Sequence, residues 1–119
     1  MASITDTLSQ IMTIEGALCA AVVDSNSGMS LGQAGTGVDM ELAAAGNTEV
    51  IRAKMRTMAS LKLNDSIEDI LITLGKHYHV IRPSALHDGL FLYIVLDKAR
   101  ANLALARRKV QDVEAALQV

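Results

Sequence analysis

The run Leu90-Phe91-Leu92-Tyr93-Ile94-Val95-Leu96 is apolar at every position, and it limits what this chain can become more than any other feature. Side chains of a strand alternate between two faces, so a run with no polar face has to be covered on both sides. Residues 18–23, Leu-Cys-Ala-Ala-Val-Val, repeat the pattern with smaller side chains. Two such strands define the centre of a sheet held between helical layers.

The flanking segments supply those layers. Ser3 and Asp6 have the spacing of a capping box, and Ile4, Leu8, Ile11 and Met12 then share one helical face before Glu15-Gly16 ends the pattern. The turn formers Asp24-Ser25-Asn26-Ser27-Gly28 join strand 18–23 to an extended segment at 29–34, which reads as a β-hairpin. Gly35-Thr36-Gly37 breaks the chain, and 39–61 is proline-free and rich in Ala, Met, Glu, Lys and Arg, which predicts a helix on the order of 30 Å long. Runs 67–74, 77–82 and 90–96, separated by polar or glycine-containing breaks, predict an antiparallel meander. Asp97 is placed to cap a last helix carrying Ala99, Leu103, Ala106, Val110, Val113 and Leu117 at helical spacing.

The predicted fold is an α/β (α+β) three-layer sandwich of element order α-β-β-α-β-β-β-α. Joining hairpin to meander through the two central strands gives a five-stranded antiparallel sheet of order 2-1-5-4-3. Segment 67–74 then lies at an edge, although Ile70, Leu71, Ile72 and Leu74 are unusually apolar for one. An unpaired apolar edge invites pairing with another chain.

The long helix raises the same question. Met40, Ala44, Asn47, Ile51, Met55 and Met58 form one stripe, which suits the sheet; Ala43, Gly46, Val50, Ala53 and Thr57 form a second, about 100° away. Small residues let a second helix approach closely, so an antiparallel pair of these helices across a two-fold axis would bury the second stripe beside the strand edge. The predicted dimer surface is Ala43, Gly46, Asn47, Val50, Ala53 and Thr57, with Ile70 and Ile72. The other arrangement is a helix sunk between the sheet and its own chain's neighbours.

With 119 residues, one domain spanning 1–119 is expected, and half of the residues are hydrophobic, so the chain is expected to be ordered almost end to end. A net charge of -2 with mixed signs leaves no basic field for nucleic acid. Residues 1–10 lack the Lys or Arg of a secretory leader, and no apolar stretch approaches the roughly 20 residues a membrane span needs. The lone Cys19 sits in an apolar run and reads as a buried thiol, consistent with a cytoplasmic protein.

Chemistry-bearing constellations are sparse. Residues 32–37, Gly-Gln-Ala-Gly-Thr-Gly, lack the Gly-Lys-Ser/Thr ending of a phosphate loop and the glycine order of a dinucleotide turn, so they read as plain loop. His77 and His79 would face one side of a strand without obvious further ligands for a metal. Ser84, His87 and Asp88 share a loop but no nucleophile elbow, and read as solvated. Arg52, Lys54 and Arg56, with Lys62 beyond, form a basic set suited to an acidic partner patch or to keeping the helix soluble. Arg100, Arg107, Arg108 and Lys109 read as a solvated face. No catalytic residue, metal or cofactor is expected, and a binding protein rather than an enzyme is.

The run Asp97-Lys98-Ala99-Arg100-Ala101-Asn102-Leu103-Ala104-Leu105-Ala106-Arg107-Arg108 resembles the start of the final helix in bacterial roadblock/LC7 proteins, where Asn-Leu-small-Leu followed by Arg is typical. The Val22-Val23-Asp24 to Gly28-Met29 hairpin, the Ala-rich long helix, and Ile67-Glu68-Asp69-Ile70-Leu71-Ile72 leading into His79-Val80-Ile81-Arg82-Pro83 match in order, so the resemblance spans about residues 4–113. It implies the MglB-like bacterial branch, with the long helix on one face of the sheet and the terminal helices on the other. It also implies dimerisation through the long helix and third strand, and service as a regulator or scaffold of a small Ras-like GTPase. A small-ligand sensor or general adapter on the same fold is the other reading.

Overall fold

The computed structural model describes residues 2–118. Eight elements follow in the order α1 (Ile4–Ile11), β1 (Ala17–Asp24), β2 (Met29–Gly35), α2 (Met40–Ser60), β3 (Ile70–Thr73), β4 (His77–Pro83), β5 (Leu90–Asp97) and α3 (Leu103–Ala116). The five strands form one antiparallel sheet of order β2-β1-β5-β4-β3, with the two doubly apolar strands at its centre.

Each face of those strands is buried against a different layer. Ala20, Val22, Leu92, Ile94 and Leu96 pack with Leu8 and Ile11 of α1 and with Ala106, Val110 and Val113 of α3. Cys19, Ala21, Val23, Phe91, Tyr93 and Val95 pack with Met40, Ala44 and Ile51 of α2. Gly32 belongs to β2 rather than to a loop, and the space above it is needed: a Cβ there would stand 2.8 Å from Ile4 of α1. Next to α3, Ala2 and Leu117 form a parallel bridge, with the Ala2 amide donating to Ala116 O at 2.8 Å and the Gln118 amide to Ala2 O at 2.7 Å.

Helix ends follow local chemistry. Ser3 Oγ accepts from the Asp6 amide at 3.1 Å, and Asp39 Oδ1 from the Leu42 amide at 3.2 Å. At the far end of α2 the Leu63 amide donates to Met58 O (3.0 Å) and the Lys62 amide to Ala59 O (3.1 Å), the paired closure usually made around glycine. Lys62 takes the left-handed conformation that closure needs, at φ 57°.

Two boundaries differ from expectation. The third strand is four residues long, not the whole of 67–74, because Asp69 is drawn out to Arg107, whose Nε and Nη2 donate to its carboxylate at 2.8 and 2.7 Å. The last helix is capped by Asn102, whose Oδ1 accepts from the Leu105 amide at 3.1 Å, and not by Asp97. The Asp97 amide still donates to Gly16 O, at 2.7 Å, and its side chain closes a turn onto the Ala99 amide at 3.1 Å. Ala99 therefore lies in that turn, outside the helix.

Candidate functional site

The covering of the sheet is uneven, and the unevenness lies on the α2 side. That helix packs chiefly over β1 and β2. Its buried side is Met40, Ala44, Thr48 and Ile51; Thr48, absent from the predicted stripe, is accommodated because its Oγ1 donates to Ala44 O at 2.7 Å. Beyond α2 the same face continues across β4 and β3, where Ile70 pairs with Ile81 and Ile72 with His79. Ile70, Ile72, His77 and His79 are only half buried there. The edge strand Ile70–Thr73 carries no charged residue and no proline, so it has none of the features that normally protect an edge from pairing.

A helix turns 100° per residue, which separates the predicted residues of α2 into two shoulders. Ala43, Asn47, Val50 and Lys54 fall on one; Ala43 packs into the core and Asn47 lies close enough to the Tyr93 phenol to act on its pKa, so this shoulder leans toward β5 and the uncovered strands. Gly46, Ala53 and Thr57 lie farther out on the same side and are exposed, and a Cβ built on Gly46 would meet no atom within 4 Å. Nothing among the described residues requires a glycine at that point, where it costs about 1 kcal/mol relative to alanine. Arg52 lies on the opposite shoulder and donates from Nη2 to Ser25 O (2.7 Å) and Asn26 O (3.1 Å) of the β1–β2 turn. Arg56 is exposed and falls on Arg52's side of the helix, so the three basic residues do not form one rim.

Under this face lies a polar cluster. Tyr93 Oη and His79 Nδ1 are 3.0 Å apart, the His79 and Tyr93 rings meet edge to face at 5.5 Å, and His77 stacks on His79 at 6.1 Å. His79 Nε2 is buried without a hydrogen-bond partner. Burial first, and then the neighbouring His77, push the His79 pKa down from its ordinary 6.5. Burial raises the pKa of the Tyr93 phenol, against the opposing effect of Asn47, and burial likewise raises that of the Cys19 thiol. Among the described residues, no group of three or more His, Cys, Asp or Glu is arranged to hold a metal ion.

The remaining candidates have structural duties. His87 Nε2 lies 2.8 Å from Leu117 O, and the His87 amide donates to Ser84 Oγ at 3.1 Å, so His87 and Ser84 anchor the loop to the end of α3 and form no relay. Arg107 is bound to Asp69, a correction to the solvated face expected of it, and Asp69 together with that hydrogen bond raises its pKa. Sequence reasoning also missed the nearly buried pair between Arg82 Nε and Glu114 Oε1 at 3.0 Å, with side chains 16% and 4% exposed. Glu114 stands one residue after Val113 on the predicted apolar face of α3, which was the available signal.

No protein-family model and no curated protein sequence matches this chain. Solved structures do. A roadblock/LC7 domain from Streptomyces avermitilis superposes with TM-score 0.83 at 9% identity, covering 97% of this chain and 94% of that one. The fold is that of roadblock/LC7 domains. MglB shares it: the Myxococcus xanthus protein matches with TM-score 0.72 at 17% identity over 92% of this chain and 83% of that one. The gliding protein MglB of Thermus thermophilus matches with TM-score 0.70 at 14% identity, over 94% and 88%. No helix among the described residues is long and apolar enough to cross a membrane.

Proposed function

We propose that this chain is a homodimeric regulator or scaffold that binds a small Ras-like GTPase. The observation that carries the dimer is the half-covered face: Ile70, Ile72 and the histidines of β4 stand beside a charge-free edge, flanked by an α2 shoulder of small residues with an otherwise unneeded Gly46. A second copy related by a two-fold axis pairs β3 with β3 and α2 with α2, burying Ala43, Asn47, Val50, Ala53 and Thr57 near the axis. The shared fold with MglB supports a regulatory or adapter role.

The paired α2 helices form the platform for the GTPase, with Lys54 and Arg56 as contacts and Arg52 as a residue already engaged by its own turn. Such a platform raises GTP hydrolysis by holding the GTPase's own switch residues in their active arrangement, without inserting an arginine. Gly46→Glu is expected to halve the mass seen by light scattering while leaving the circular dichroism spectrum unchanged; a dimer of undiminished mass removes this interface. For the partner, a Ras-like GTPase from the same organism is loaded with GDP or a non-hydrolysable GTP analogue and passed over immobilised protein. Retention of one nucleotide state is expected, and binding of neither overturns the GTPase reading.

A further inference from the structure

The buried side of α2 does not stop where the sheet stops. Met55 and Met58 continue the line of Met40, Ala44, Thr48 and Ile51, but of the sheet only the end of β4, Arg82 and Pro83, reaches the space they line. They overhang an open groove of about 590 Å³ with Leu63 and Ile67 on its wall and Pro83 on its floor. A second hollow of about 510 Å³ shares Met58, Leu63 and Ile67 and extends the groove past Lys54 to Ile70 at the sheet edge. Met55 is 50% exposed and Leu63 52%. The left-handed turn at Lys62 holds Leu63 back against the end of the helix.

The charge around these apolar residues has one sign in excess. Asp65, Glu68, Asp69 and Glu114 line the two hollows against only Lys54 and Arg82. Arg82 is held by Glu114, and Asp69 is held by Arg107. Asp65 and Glu68 stand exposed at the rim, and neither forms an ion pair among the described residues.

We propose that this groove receives a basic amphipathic helix of a partner protein. Its lining joins the apolar residues Met55, Met58, Leu63 and Ile67 to carboxylates at the rim, the complement of a helix with one apolar and one basic face. Methionines adapt to the uneven apolar face of such a helix, and the rim carboxylates meet its Lys and Arg residues. Lys54 and Ile70 at the far end of the groove border the proposed dimer edge, whereas Met55, Met58, Leu63 and Ile67 are not among the residues assigned to it.

The test uses the whole chain labelled at the methionine ε-methyl groups, followed by NMR as an 18-residue Leu/Lys amphipathic helical peptide is added. The Met55 and Met58 signals are expected to shift, those of Met12 and Met29 to stay, and a Leu/Glu peptide of the same pattern to have no effect. Asp65→Lys combined with Glu68→Lys is expected to weaken binding at least tenfold, and Met55→Gln several-fold. Equal binding of the Leu/Glu peptide, shifts spread over all methionines, or undiminished binding by the charge-reversed variant overturns the proposal. So does a change in the Met55 and Met58 signals on dilution of the protein alone, which would give the groove to a second copy.

Discussion

The two faces of the sheet are covered to very different degrees. On the α1 and α3 side, Leu8, Ile11, Ala106, Val110, Val113 and Leu117 are all buried, and Arg82–Glu114 and Arg107–Asp69 tie α3 to β4 and to the approach to β3. On the α2 side one helix buries four residues over β1 and β2, while β4 and β3 show half-buried isoleucines and histidines. Both faces of the central strands are buried, but only the α2 side leaves apolar surface on β3 and β4 half open for binding.

The sharpest way to break that comparison is a pair of truncations made in the monomeric Gly46→Glu background. Leu8→Ala on the closed face should cost about 3 kcal/mol by urea denaturation, since a filled core position is emptied. Val50→Ala on the open shoulder should cost under about 0.5 kcal/mol. Equal losses would mean that the faces do not differ in the way described.

Glu114→Ala comes next. Removing one partner of a fully buried ion pair typically costs about 3–5 kcal/mol, and the partial exposure of Arg82 reduces the expected loss to about 2 kcal/mol. A smaller effect on the additional replacement of Arg82 by Met would show that the loss is the penalty of a stranded charge. At the groove, Lys62→Gly relieves a left-handed lysine and should raise stability by up to about 1 kcal/mol. No gain would mean that the turn is held by something other than its own backbone.

The smallest expected effect is on the open face and depends on pH. His79 has a folded-state pKa below its ordinary 6.5, so the unfolded chain binds the extra proton first. The contribution of His79 is therefore fully present above pH 6.5 and declines as pH falls through that value toward the folded pKa. Melting temperature should fall between pH 7 and pH 5, less so in His79→Gln. Identical profiles for the two proteins would remove His79 as the source.

Much of this architecture was readable from the chain because the two central strands carry an unmistakable pattern. Residues apolar on both faces admit one placement, and the sheet order followed from it. The long helix was legible as an element, but the strand beneath Met55 and Met58 ends sooner than a stripe on a helix can reveal. Arg107 looked solvated because its partner, Asp69, is 38 residues away and was assigned to a strand. Asp97 and Asn102 are equally competent caps; the choice was made by Gly16, whose backbone contact with Asp97 and close approach to Ala101 keep 97–101 out of the helix.

The bridge between Ala2 and Leu117 brings the two ends of the described chain side by side at the closed face. A circular permutant therefore needs only a short connector between residues 2 and 118, and new termini opened within the exposed segment 62–66 interrupt no strand pairing.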